Sequence, residues 1–201
     1  GIKITSENIH IWNTTLKSGG NNGLQFGSET SGDIRYINLH DLTILHGGKA
    51  GLGVTANDGG NIEYITFSDI TVTECTSFIY MKNTDRGRTP GYISGLDVSR
   101  IRNISFENIT GLPPMETSDK GNYAATICGY PGFPIENIVF KNVSVIMPGG
   151  GSASDANIEP PYTNDYQPRY LGTRPAYGWW MRDVDKVYFS NCSVGLESSD
   201  G

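Results

Sequence analysis

The chain has 201 residues, 15 basic and 21 acidic side chains, a formal net charge of −6 and 26 glycines. That charge argues against a nucleic-acid partner, and no apolar stretch reaches the length of a membrane-spanning helix. The length suits one domain with its own core, and the glycine content suits a chain that turns many corners.

Taken in order, the predicted strands repeat one phrase six times: an apolar residue, any residue, an apolar residue, any residue, then Asn or Asp. The phrase ends at Asn13, Asp41, Asp69, Asn108, Asn142 and Asn191. Two positions before each anchor stand Ile11, Leu39, Phe67, Phe106, Phe140 and Phe189. Four positions before stand Ile9, Ile37, Ile65, Ile104, Ile138 and Val187. Alternation with period two places both apolar positions on one face of a strand. Successive anchors lie 28, 28, 39, 34 and 49 residues apart, a near-constant unit with insertions of varying length. Short strands repeating at such a period predict a stacked solenoid, in which each coil buries its apolar face against its neighbours. The expected fold is therefore an all-β parallel β-helix, with residues 1–201 as one domain. A chain that opens on Gly1 and closes on Asp200-Gly201 without a capping element is expected to lack N-terminal coils and to contact further polypeptide there.

A second set of strands is predicted between the anchors: 23–27, 51–55, 78–82, 124–128 and 177–181. In the first three, Leu24/Phe26, Leu52/Val54 and Ile79/Met81 face inward, while Gln25, Gly53, Thr55, Tyr80 and Lys82 face out. Coils stacked about 4.7–4.9 Å apart would align the outward residues in a column that a linear polymer can follow.

Several segments carry two readings each. Residues 111–122 and 148–175 are too long for coil corners, and the second holds Tyr162, Tyr166, Arg169, Tyr170 and Arg174. Such an insertion either contacts ligand or covers the flank of the solenoid. Asn57-Asp58-Gly59-Gly60 reads first as a turn and second as a ligand contact. Glu29 is a sugar contact or a capping carboxylate. The charged run Asp85-Arg86-Gly87-Arg88 follows directly on Lys82 and is as readily a ligand contact as not, and Tyr80 and Trp180 either stack on sugars or pack under the insertion. His10, His40 and His46 lack metal-ligand spacing, so no metal and no cofactor is expected. Cys192 occupies the inward slot held elsewhere by Leu42, Ile70, Ile109 and Val143, while Cys75 and Cys128 are a possible disulfide pair. Glycosylation sequons fall at Asn13, Asn103, Asn108, Asn142 and Asn191. If the anchors turn inward, Asn103 is the favoured glycan acceptor.

Five stretches, in one order along essentially the whole chain, resemble the polygalacturonase family of glycoside hydrolases (family 28). They are Gly23-Leu24-Gln25-Phe26-Gly27-Ser28-Glu29-Thr30-Ser31-Gly32, Asn57-Asp58-Gly59-Gly60-Asn61-Ile62, Asp85-Arg86-Gly87-Arg88, the run from Tyr130 to Ile138, and Pro175-Ala176-Tyr177-Gly178. The resemblance implies a right-handed parallel β-helix, a secreted or extracellular setting and hydrolysis of a pectin-like or related glycan with inversion. Inversion needs one carboxylic acid and one carboxylate across the scissile bond. The family draws these from an Asn-Thr-Asp strand end and an Asp-Asp pair, and neither motif occurs here. Gly1-Ile2-Lys3-Ile4 resembles the strand that follows the Asp-Asp pair, which places those aspartates upstream. The catalytic residues are thus unknown within this chain.

Two further departures bear on the sugar. The family's catalytic-site His aligns with Asn22, and its carboxylate-binding Arg-Ile-Lys aligns with Gly53-Val54-Thr55. Substrate contacts are therefore expected at Asn22, Gln25, Glu29, Asp58, Lys82 and Arg86, with a polysaccharide or oligosaccharide as partner. The alternative is a non-catalytic carbohydrate-binding or structural surface β-helix, and a calcium-dependent lyase ranks last because no suitable carboxylate cluster is spaced for the ion.

Overall fold

The computed structural model describes residues 3–87, 98–112, 124–149 and 151–197. Arg88, most of the 111–122 insertion, and the ends Gly1-Ile2 and Asp200-Gly201 lie outside the described residues. The described residues form eleven parallel-paired strands: β1 (Ser6–Lys17), β2 (Leu24–Phe26), β3 (Ile34–Ala56), β4 (Ile62–Val72), β5 (Cys75–Asn83), β6 (Ile101–Gly111), β7 (Ala125–Cys128), β8 (Ile135–Met147), β9 (Trp179–Arg182), β10 (Val184–Ser190) and β11 (Ser193–Leu196). They form two ladders. The first runs β1, β3, β4, β6, β8 and then β10 with β11; the second runs β2, the later half of β3, β5, β7 and β9. The chain is a parallel β-helix, as its period predicts.

The repeated phrase is the register of the first ladder. Ile9, Ile37, Ile65, Ile104, Ile138 and Val187 pair in succession, as do Ile11, Leu39, Phe67, Phe106, Phe140 and Phe189. From Ile37 to Phe140 both columns are buried. The phenylalanines stack face to face, with centroids 4.8 Å apart for Phe67–Phe106, 5.0 Å for Phe106–Phe140 and 4.8 Å for Phe140–Phe189. Parallel pairing at constant register puts like on like, so one column holds a continuous aromatic stack. On the outermost described coils the same positions are partly open, with Ile9, Ile11 and Phe189 exposed.

The anchors do not turn inward. All six have φ between 49° and 55° and are exposed, and a second set five residues earlier (Asn8, Tyr36, Tyr64, Asn103, Asn137, Lys186) has φ between 55° and 61°. Each left-handed residue bends the strand and resets the alternation, so Leu42, Ile70, Ile109 and Val143 face the core again one position later. Asn and Asp tolerate this region because their short side chains bond locally. Their amides also bond along the stack: Asn191 donates to Asn142 at 2.9 Å, Asn142 to Asn108 at 2.8 Å, and Asn108 to Asp69 at 3.0 Å. With the anchors on the surface, the reason for setting Asn103 apart as a glycan acceptor falls away.

The three cysteines are free. Cys128 pairs in register with Lys82, which is seven residues beyond Cys75 along β5. That separation is roughly 20 Å of extended chain, beyond the reach of a disulfide. Burial pushes the Cys75 thiol up to about 12. Cys192 occupies its predicted slot only partly buried, packed against the core.

Candidate functional site

The outward positions of the second ladder stack as the pattern predicts. Gln25, Gly53, Tyr80, Thr126 and Trp180 form one column, and Thr55, Lys82, Cys128 and Arg182 the next. Most of this face is covered. Leu171, from a short 3-10 turn at Pro168–Leu171 in the long insertion, packs with Tyr80, Cys128 and Trp180 in a second apolar cluster. Tyr80 is fully buried and Trp180 is 8 % exposed, so both are packing residues beneath the insertion rather than sugar platforms. Arg174 clips the turn from inside, its Nη1 donating to the carbonyls of Pro168 and Gly172.

Lys82, 2 % exposed, fastens the insertion to the ladder. Its Nζ donates to the carbonyl oxygens of Thr163 and Asp165. Burial holds this ammonium down at about 8, against an ordinary value of 10.5. Because the unfolded chain then keeps its proton where the folded chain has lost it, the Lys82 contribution to stability rises with pH between those two values. Lys82→Met should lack that rise. Urea titrations near pH 7 and at about pH 10.5 are expected to show the wild type gaining about 1–3 kcal/mol relative to the variant. A gap that does not change with pH would contradict a buried ammonium at this position.

Asp58 and Arg86, expected to meet ligand, meet each other. Asp58 is fully buried and accepts from Arg86 Nε at 3.0 Å and Nη2 at 2.5 Å, and Arg86 Nη2 also donates to the Ser28 carbonyl at 3.2 Å. The turn reading of Asn57-Asp58-Gly59-Gly60 therefore gains a specific task, which is to hold Arg86 across two coils. Asn22 is likewise 6 % exposed, with Nδ2 donating to Gln25 Oε1 and Oδ1 accepting from the Ala50 amide at 2.8 Å. A Cβ on Gly53 would lie 2.6 Å from Asn22 Nδ2. Asn22 and Gly53 are thus a packing pair.

Gln25 and Glu29 open onto a cleft of about 350 Å³, lined by Asn21, Gln25, Gly27, Ser28, Glu29 and Tyr166. Gln25 is fixed by Nε2 donating to Thr55 Oγ1 at 3.1 Å. Gly27 has φ +85°, and a Cβ there would meet the Thr55 carbonyl at 1.8 Å, so only glycine brings this corner so close to the next coil. Tyr166 reaches the cleft on the insertion, where Lys49 lies 5.0 Å and Arg86 5.7 Å from its ring centroid. The tyrosine joins the site through tertiary packing across 140 residues of chain, a contact that no local pattern announces. Glu29 is exposed and is the one carboxylate among the described residues lining the cleft. Among the described residues no cluster of three or more His, Cys, Asp or Glu is placed to hold a metal.

A second cavity has a volume of about 370 Å³. Lys82, Cys128, Tyr130, Pro131, Tyr162, Asn164 and Arg182 contribute to its wall. A scan against protein-family models finds no match to the chain, and neither does a search of curated proteins.

Proposed function

We propose that this β-helix is the glycan-holding part of a polygalacturonase-like, extracellular glycoside hydrolase acting on a pectin-like or related polysaccharide. One observation supports this most: a cleft whose lining brings together the Asn21 and Gln25 amides, the Ser28 hydroxyl, the Glu29 carboxylate and Tyr166. Sugars present hydroxyls at the edge and C–H groups on the face, and such a lining can satisfy both. Gln25 is already oriented by Thr55 and needs little reordering on binding. Of the six expected contacts, Gln25 and Glu29 carry the proposal. Asn22, Asp58 and Arg86 stand behind them as positioning residues, and Lys82 anchors the insertion that supplies Tyr166.

Inverting hydrolysis needs two carboxyl groups roughly 6.5–9.5 Å apart across the sugar. With Asp58 sequestered by Arg86, Glu29 has no such companion in the described lining. The segment binds glycan without cleaving it. The commitment of Asn22 and Gly53 to packing favours, as a second reading, a surface β-helix that binds carbohydrate and has no hydrolytic role.

The test is an NMR titration with plant and algal oligosaccharides, run alongside a reducing-sugar assay. Shifts centred on Asn21, Gln25 and Glu29, reduced about tenfold in affinity by Gln25→Ala, with no sugar released, are the expected result. Turnover abolished by Glu29→Gln or Asp58→Asn would place acid and base within the chain and overturn the binding-only assignment.

A further inference from the structure

We infer that the second cavity, between Cys128, Tyr130 and Pro131 on the ladder side and Tyr162 to Asn164 on the insertion, is a subsite for an uncharged sugar unit. The inference rests on the glycan reading above and adds the class of sugar.

The cations would be the obvious partners of an acidic sugar. Arg182 has its terminal nitrogens occupied: Nη1 donates to Glu159 Oε1 at 2.9 Å and to the Pro160 carbonyl, and Nη2 donates to the Pro161 carbonyl at 3.2 Å and to Cys128 Sγ at 3.6 Å. Its guanidinium is also stacked on Tyr162, 3.7 Å from the ring centroid. Lys82 gives two of its three N–H groups to the insertion's carbonyls, which leaves one for a ligand. Arg86, one turn away on the same coil, is held by Asp58. A carboxylate entering here finds no bidentate partner.

The anionic groups around the cavity point the same way. Tyr130 Oη donates to Asp85 Oδ2 at 2.7 Å, and Tyr162 Oη donates to Asp183 Oδ2 at 2.8 Å. Two carboxylates thus stand behind the two phenols, and each phenol, its proton spent, offers lone pairs to a ligand. The Arg182 Nε–H has no protein partner but is closed off from solvent, so the site's accessible capacity is one ammonium donor, two phenolic acceptors and the Asn164 amide, set among the apolar surfaces of Tyr130, Tyr162, Pro131 and Cys128. Hydroxyl groups both donate and accept and carry no charge, so a neutral pyranose fits this set, whereas a uronate meets the Asp85 and Asp183 carboxylates with a single Lys82 N–H to offset them.

Matched disaccharides test it: α-1,4-linked digalactose against α-1,4-linked digalacturonate, which differ at C6 only, with xylobiose and arabinobiose as further neutral probes. Affinities are read by saturation-transfer and chemical-shift NMR on the wild type, on Tyr162→Ala and Asn164→Ala for this cavity, and on Gln25→Ala for the cleft. Tyr162 and Asn164 are exposed, so both variants are expected to keep the wild-type circular dichroism spectrum. The expected result is at least one neutral disaccharide binding tenfold or more tighter than digalacturonate. The gap should narrow in high salt as repulsion is screened, and neutral binding should weaken at least fivefold in Tyr162→Ala. Digalacturonate binding as tightly as the neutral probes, or neutral binding indifferent to both cavity variants, overturns the inference while leaving the cleft's glycan reading intact. No binding of any probe at either site overturns both.

Discussion

Phe106→Ala is expected to cost about 3–5 kcal/mol of unfolding free energy, the range for truncating a buried aromatic. Phe106 is fully buried and sandwiched between Phe67, parallel to it within 2°, and Phe140, within 11°. Removing the ring opens a hole in the middle of a stack whose neighbours are fixed by ladder hydrogen bonds on both sides. They cannot close over it without shifting the register of β6. The same substitution at Phe189, 45 % exposed at the end of the stack, should cost much less. Denaturant titrations of the two variants check both the inward register and its gradation along the axis, and a loss below about 1 kcal/mol at Phe106 would show that the column is not the core.

Asp58→Ala should destabilise the protein by about 3–5 kcal/mol, because it strands the Arg86 guanidinium in a site where only 9 % of its side chain is exposed. Desolvation was tolerable with two charge-assisted bonds in place and is not tolerable without them. Replacing both partners, Asp58→Leu with Arg86→Met, should recover much of the loss, since an apolar pair of similar volume carries no desolvation cost. Thermal or urea unfolding of the single and double variants measures this coupling. Purely additive losses would mean that the pair does not act as a unit.

How far the sequence carries the structure depends on how local the cause is. Ile37, Phe67, Phe106 and their column mates are legible because period-two burial and coil-to-coil stacking act on every repeat alike. The two paired left-handed bends that recur along the first ladder are half legible. Asn and Asp at the anchors suit positive φ, but Tyr36, Tyr64 and Lys186 hold the same conformation without any compositional sign. The site is less legible still. Lys82 and Arg86 read as ligand cations because their charges are visible in the sequence, while their partners, the Thr163 and Asp165 carbonyls and Asp58, are set by long-range packing. Whether the insertion covers the flank or contacts ligand also had no local answer. It does the first through Leu171 and brings Tyr166 to the rim of the cleft.

Affinity electrophoresis through gels cast with individual plant and algal cell-wall polysaccharides tests whether this β-helix holds glycan at the Gln25–Glu29 cleft. At least one polysaccharide is expected to retard the folded chain, and Gln25→Ala together with Glu29→Gln to restore free mobility. Equal mobility of the wild type in every polysaccharide gel and in the empty gel would contradict it.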